Sequence, residues 1–410
     1  MPLKIVICGG GIGGLSAAGY LRAQHDVTVL ERGNLDFATN DYGLSIVSNA
    51  FTLLQKAGIK SENLDTVVMT HLWVLDHEGN EVKTTHFDTR PRFGGAPSVL
   101  VKRAKLQEEL MRFATSDEFP GTPAKIIQNA KVARVDSVAG KVWTDDGQVY
   151  EADLIIGADG INSAVRSSVF PGKGTPRSHD LVAFITRVMI EDIKSEPAFA
   201  YLIDPTSQAG LSSAQRSPHS KKRILLYHTS ARDIQVLGYT SEGELAEKFD
   251  AQNTGIIKDI PTARVVEEFS SEFADNLVSL FRHGKIDAWR VRDIVPMDTW
   301  IHEKVVLIGD AAHAVTQHAG QGCNVTIEDA EALGYLLRDA SPEDIPAVLK
   351  KFMSLRKDRV DLVARRSRQL GNIQSEEDKA KDPISGEEFA KAMYGYQGVE
   401  QFLKQSTQTL

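Results

Sequence analysis

The hydrophobic pattern is clearest at the start of the chain. Residues 3–8 are almost all apolar, residues 9–14 are glycine apart from one isoleucine, 13–24 repeat their apolar positions with helical spacing, and 26–31 form a second apolar run ending on Glu31. A short apolar run bounded by turn residues predicts a buried strand, so the pattern reads as one strand–helix–strand unit. Further along, helices are expected at 49–58, closed by Gly58, and at 103–116, after the apolar Val99, Leu100 and Val101. Residues 130–150 alternate like a small antiparallel sheet, with Asp145, Asp146 and Gly147 as its hairpin turn. Ala152 to Gly157 and Lys304 to Gly309 repeat the buried-strand pattern, and a helix is expected over 320–338.

Between about 176 and 275 the character changes. Strand-like segments at 180–192, 198–204, 223–229 and 233–239 are joined by polar loops, as in an inserted sheet. The expected architecture is therefore α/β. A Rossmann-like dinucleotide-binding domain is assembled from residues 1–75, 100–175 and 276–341; a mainly β domain comes from 76–99 and 176–275; a C-terminal helical region spans 342–410. Within that region 342–373 is a charged amphipathic helix and 374–387 is polar and expected to be loosely ordered.

Charge and cysteine content narrow the function classes. The 47 Lys and Arg against 55 Asp and Glu give a formal net charge of -8 with no dense basic run, which argues against a nucleic-acid partner. Cys8 lies in a strand pattern and Cys323 in a glycine-rich turn, so neither a disulfide framework nor a cysteine-ligated metal is expected, and a reducing compartment fits. With a strand pattern from residue 3 and no apolar run near 20 residues, the chain reads as cytoplasmic, without signal peptide or membrane span.

Three motifs carry the chemistry. Gly9-Gly10-Gly11-Ile12-Gly13-Gly14 fits G-x-G-x-x-G between a strand and a helix, and Glu31 closes the next strand. In such a unit Gly9 permits the tight turn, Gly11 lets the backbone approach a pyrophosphate at the helix N-terminus, and Gly14 allows close packing; Glu31 would accept from a ribose hydroxyl. The motif does not choose between NAD and FAD. The second motif runs from Asp153 through Gly157, Ala158, Asp159 and Gly160 to Arg166, leaving one carboxylate, Asp159, at a strand end; a plain turn with a helix cap explains it equally well. The third is Gly309-Asp310-Ala311-Ala312-His313, followed by Gly320-Gln321-Gly322-Cys323-Asn324 and a helix. Asp310 could hold a polyol chain, and the glycine-opened helix start could hold an anion, whereas His313 reads as a packing residue.

In this order and spacing the three motifs resemble the class A flavoprotein monooxygenases, the family of 4-hydroxybenzoate, salicylate and 6-hydroxynicotinate hydroxylases, over nearly the whole chain. The resemblance implies FAD: Gly9, Gly11, Gly14 and Glu31 on its ADP half, Asp310 on its ribityl chain, Gly320, Gly322, Cys323 and Asn324 at the flavin ring, and Arg103 at the start of its helix, with Gly13, Arg32, Val132 and Asp159 completing the set. It further implies that NADH or NADPH reduces the flavin, that O2 adds at its C4a, and that the hydroperoxide hydroxylates an aromatic or N-heteroaromatic substrate. Arg187, in Ile185-Thr186-Arg187, matches the family's arginine that projects toward the substrate, or else is a charged residue on a solvent face. His228 is a candidate base or a satisfied sheet residue, and Tyr227 and Gln317 are the remaining candidates for activating the substrate.

Two departures from the family stand out. Ala314 and Gln317 occupy positions where the family usually has proline, so its bacterial substrates do not carry over. Other readings are an FAD-dependent tailoring enzyme of secondary metabolism that epoxidises or otherwise oxidises an indole or polyketide, a flavin enzyme without oxygen insertion such as a reductase or halogenase, and a non-catalytic FAD-binding or sensor protein. No metal site is expected, and the expected assembly is a monomer or homodimer.

Overall fold

The computed structural model describes residues 1–37, 41–204, 208–217 and 220–408. The first apolar run forms the strand Lys4–Cys8 at the centre of a six-stranded sheet, flanked in parallel by Asp26–Leu30 and Leu154–Gly157. Val305–Leu307 extends the sheet beyond Leu154–Gly157, and Lys125–Ile127 beyond Asp26–Leu30, again in parallel. Ile5, Ile7, Leu154, Ile155, Ile156, Val305, Val306 and Leu307 are all fully buried, as strands covered on both faces must be. The helix Ile12–Leu21 packs between Arg103–Thr115 and Gly322–Leu336. A separate small sheet, Val132–Asp136, Lys141–Thr144 and Val149–Glu151, is the predicted antiparallel unit.

An eight-stranded sheet forms the second layer. Its order is Ile256–Ile260, Ile286–Ile294, Pro176–Met189, Asp233–Thr240, Arg223–His228, Gly210–Ala214, His71–Leu75 and Glu81–His86. Period-2 alternation divides its side chains. Val182, Phe184, Val188, Ile224, Leu226, Ile234 and Val236 face the helices Leu245–Ala251, Thr262–Ser270 and Asp275–Ser279. Leu181, Ala183, Ile185, Leu225, Tyr227, Leu237, Tyr239, Trp289 and Val291 form the other face, and Tyr227 also packs with Leu100 of the neighbouring layer. That face therefore looks toward the nucleotide-binding layer.

Some expectations are corrected. The segment 198–204 is not a strand: Pro197 opens a 3-10 helix, Pro197–Leu202, whose bonds are local, with the Phe199 N–H donating to the Glu196 carbonyl at 3.0 Å. The polar stretch 374–387 is tied down, because Ser375 and Asp378 form a capping box on Glu376–Lys379, and Arg368 donates to both Asp378 oxygens at 2.6 and 2.9 Å. His71–Leu75 and Ile286–Ile294 belong to the eight-stranded sheet, on the far side of the expected boundaries at 75 and 276. Among the described residues no helix is long and apolar enough to cross a membrane.

Candidate active site

The glycine turn divides into packed and open positions. A side chain at Gly14 would put its Cβ 1.8 Å from the Gly9 carbonyl oxygen, and one at Gly9, whose φ is +109°, would meet Ala158 oxygen at 2.4 Å. Those two glycines let strand, helix and the Ala158 loop close on one another. At Gly11 a Cβ would meet nothing within 4 Å, and no side chain caps the helix that starts after it. The first-turn N–H groups therefore lack an intrahelical acceptor beside open space, which is the arrangement a phosphate needs. Glu31 closes the other side: its carboxylate accepts from the N–H of Gly10 at 2.7 Å and of Gly33 at 2.9 Å. The backbone of Glu31 pairs with Ile127 and Ala130, which brings Val132, a buried strand-opening residue, to the same edge. Arg32 is exposed beside it.

Farther along the cleft, Asp310, Arg103, Cys323 and Tyr42 lie together. Asp310 faces open space, yet its surroundings are crowded enough that desolvation pushes its carboxyl pKa up, against the opposing pull of His313, Arg103 and Arg166. Burial likewise pushes the Cys323 thiol up to about 12, so it stays protonated. The Arg103 guanidinium sits 5.6 Å from the Tyr42 ring centroid. Gly320 is in the left-handed region, with φ 61°, and starts the turn into the helix Gly322–Leu336, which no side chain caps. An acidic group for a polyol, a cation and an open helix start thus line one groove that continues from the glycine turn. These residues fit a flavin dinucleotide.

This groove is held from behind by a buried charge network that the sequence reading did not find. His313 Nε2 lies 2.6 Å from Asp329, which also accepts from the Gly309 N–H at 3.1 Å and from Arg356 at 2.9 Å. Arg356 and Arg359 share Glu328, to which Asn49 also donates at 2.6 Å. Burial raises the pKa of both acids, but the neighbouring cations outweigh it and hold both below the usual carboxylate range. His313 is thus an orienting residue, as its packing role predicted.

The segment Asp41–Gly43 joins the groove to the eight-stranded sheet. Arg187 donates to the Asp41 carbonyl and, at 3.0 Å, to its carboxylate, which also accepts from the Ala104 N–H at 3.1 Å. The Tyr42 carbonyl accepts from the Arg103 N–H at 2.8 Å, and its ring meets Trp289 edge-on at 4.6 Å. Gly43 donates to Gln235 at 3.1 Å and accepts from the Tyr227 hydroxyl at 3.0 Å. Burial, then Tyr239 and Tyr42, raises the Tyr227 pKa, so it remains a donor. Gln317 is exposed beside the Tyr239 hydroxyl. Arg187 and Tyr227 thus both reach the Asp41–Gly43 segment from one face of the sheet, and Gln317 lies beside Tyr239 of that same face.

Three candidates lie differently. His228 is fully buried on the opposite face of its strand, where Nδ1 accepts from the Gly210 N–H at 3.3 Å and Nε2 donates to the Leu202 carbonyl at 3.0 Å. Both nitrogens are occupied and burial lowers its pKa, so it cannot serve the cleft as a base. Strand alternation carries this correction: Tyr227 and His228 are neighbours and must point opposite ways. Asp159 accepts from Ser163 and from the N–H groups of Ala164 at 2.7 Å and Val165 at 3.2 Å, so its carboxylate caps a helix. Asn324 accepts from Val47 at 2.9 Å and donates to Ser45 at 3.0 Å, fastening the loop rather than offering its amide to a ligand. Asp41, Tyr42, Gln235 and Tyr239 were missed because no local motif marks them.

Comparison with known proteins agrees with this geometry. Residues 3–367 match the family model described as FAD binding domain. The hispidin-3-hydroxylase of Neonothopanus nambi is 29% identical over 373 residues, covering 89% of this chain and 87% of that protein. The FAD-dependent monooxygenase phomE' of Diaporthe leptostromiformis is 28% identical, covering 77% and 79%. Among solved structures, CtdE in complex with FAD and a substrate superposes with a TM-score of 0.77 at 19% identity, covering 99% of each chain. Klebsiella pneumoniae HpxO with FAD and uric acid gives 0.75 at 23% identity, covering 96% of each. With the glycine cradle, the Asp310 groove and a family match along most of its length, this chain belongs to the FAD-binding flavoprotein monooxygenases of the class A hydroxylase type.

Proposed function

We propose that the chain hydroxylates an aromatic or N-heteroaromatic small molecule, taking electrons from NADH or NADPH and oxygen from O2. The observation that carries this reading is Arg187, a cation on the cleft face of the sheet whose partner, Asp41, adjoins the residue packed against Arg103 in the cofactor groove. Bound FAD supplies the redox and oxygen-activating chemistry. The protein's part is to bind and polarise the ring. A phenolate or pyridinolate oxygen beside Arg187 is stabilised by a charge-assisted hydrogen bond, which favours the anionic, electron-rich form of the substrate. Tyr227, protonated and anchored to Gly43, supports that loop, and the Gln317 amide beside Tyr239 is a neutral polar contact.

The hydroxylase named among the relatives supports the reaction class, and the two unpaired cysteines agree with cytoplasmic residence. The deciding experiment follows NADH and NADPH consumption by the purified yellow protein with and without phenols and hydroxypyridines, with mass spectrometry of the products. Stimulated consumption with a product one oxygen heavier is expected. A yellow protein that reoxidises without ever transferring oxygen would point to the reductase reading. Light scattering of the same preparation would settle monomer against homodimer.

A further inference from the structure

Arg187 does not stand alone on its face of the sheet. Its Nη2 donates to the Asp41 carbonyl and, at 3.0 Å, to the Asp41 carboxylate, while that carboxylate also accepts from the Ala104 N–H at 3.1 Å, in the first turn of the helix Arg103–Thr115. The pair is therefore held from both layers. Neither member is sealed in: the Arg187 side chain keeps 36% of its surface exposed and that of Asp41 18%, so one small ligand group can touch both. Ile185, two residues before Arg187 and so on the same face, is partly exposed, as are Tyr42 and Trp289, whose rings meet edge-on at 4.6 Å. Apolar and aromatic surface thus lies next to the pair.

The chemistry of the pair differs from that of a lone arginine. A guanidinium only donates and a carboxylate only accepts, so at 3.0 Å the two present one donor and one acceptor side by side with no net charge. A ring hydroxyl matches both. Its oxygen accepts from Arg187 and its hydrogen goes to Asp41, and each of these bonds raises the negative charge on that oxygen. The lactam form of a hydroxypyridine matches in the same way through its carbonyl and its N–H. A ring carboxylate can only accept, so it gains Arg187 while standing against Asp41, and juxtaposed like charges discriminate strongly. Without the acid the order would reverse, because a free guanidinium binds carboxylates through paired charge-assisted bonds.

We propose that Asp41 determines the substrate class: together with Arg187 it selects uncharged rings that bear a hydroxyl or a lactam, and it rejects ring carboxylates. This inference rests on the hydroxylase reading and specifies what that site accepts.

The test uses three naphthalenes that differ in one substituent. They are 2-naphthol, which donates and accepts, 2-methoxynaphthalene, which only accepts, and 2-naphthoate, which only accepts and carries a negative charge. Dissociation constants are measured on the FAD-loaded protein at neutral pH from the flavin absorbance change. Wild type should bind 2-naphthol at least about tenfold more tightly than either of the others, the gain expected for a hydrogen bond to a charged group. In Asp41→Asn, whose amide oxygen can still accept from Ala104, and in Asp41→Ala, 2-naphthoate should gain at least about tenfold and overtake 2-naphthol, because the like charge is gone. A purely structural Asp41 would weaken all three ligands together and leave their order unchanged, and that result overturns the proposal. So does a wild type that binds 2-naphthoate as tightly as 2-naphthol, or that binds neither. Should the variants fail to hold FAD, the wild-type order alone still decides. Failure of the hydroxylase reading would show in NAD(P)H consumption, which the order of affinities does not use.

Discussion

At the residue scale, Gly11 and Gly14 of the first turn do different physical work, and substitution separates them. Gly11→Val should leave the apoprotein's melting temperature close to wild type, because its Cβ enters open space, but abolish FAD retention by filling the place a pyrophosphate needs. Gly14→Ala, driven onto the Gly9 carbonyl oxygen, should instead lower stability by several kcal/mol, on the order of the larger overpacking penalties. Calorimetry and flavin absorbance of the two variants check this, and a Gly11→Val protein that stays yellow would remove the phosphate argument. Arg187 is the corresponding test on the substrate side. If its bond to the substrate oxygen strengthens in the transition state, Arg187→Ala should keep FAD and lose roughly tenfold to a hundredfold in turnover, the equivalent of about 1.5 to 3 kcal/mol. Near-wild-type hydroxylation would leave it as a structural partner of Asp41.

At the element scale, the long helix Ile345–Leu370 and the helix Gly322–Leu336 are held together by charges rather than by apolar packing alone. Arg356 is fully buried between Glu328 and Asp329, and removing it takes the shared cation from two buried carboxylates, leaving Glu328 to Arg359 and Asn49 and Asp329 to His313. Arg356→Met should therefore cost about 3 to 5 kcal/mol, measured by denaturant unfolding, since breaking one side of a buried pair is far worse than replacing the whole pair. A loss below about 1 kcal/mol would mean that water reaches the site. The C-terminal helix Val399–Gln408 is attached through Glu331, whose oxygens each accept from the Val399 N–H at 3.2 Å. Burial raises the Glu331 pKa to about 7, above its unfolded value, so the folded state favours the protonated acid. The resulting stability is fully present below the ordinary carboxylate pKa and is lost as pH rises through about 7. Glu331→Gln should accordingly gain on wild type in melting temperature between pH 5 and pH 8; a difference independent of pH would show that the carboxyl titrates normally.

At the scale of the whole molecule, Asp41–Gly43 is the seam between the two layers. It bonds to the start of the helix Arg103–Thr115 on one side and to Arg187, Gln235 and Tyr227 on the other, so a ligand that orders the groove also orders the sheet face. FAD at a hundredfold excess over its dissociation constant should stabilise the fold by about 2.7 kcal/mol, with a matching rise in melting temperature. In Asp41→Ala the FAD-induced rise should remain, but protection of the Arg223–His228 strand from hydrogen exchange on FAD binding should shrink. Unchanged protection would mean that the layers respond independently.

The sequence by itself determined what local periodicity and glycine spacing can encode. The strands and helix from Lys4 to Leu30, the Asp310 turn and a dinucleotide site follow from side chains near one another along the chain, where backbone sterics act directly, while the choice of FAD came from the family resemblance of the three motifs together. The eight-stranded sheet was only partly legible. His71–Leu75 and Gly210–Ala214 pair in parallel across a separation that no local pattern records, and the edge strand Glu81–His86 is exposed along its whole length and so has no buried alternation to read. The capping of the Ser163–Val165 turn by Asp159 is local and was one of the two readings the sequence left open, whereas tertiary structure alone decided which way Tyr227 and His228 point, sent Asn324 to its partners at Val47 and Ser45, and brought Asp41 to Arg187. Those outcomes depend on sheet register and on contacts between distant segments, which set the surroundings of a side chain only once the layers have closed.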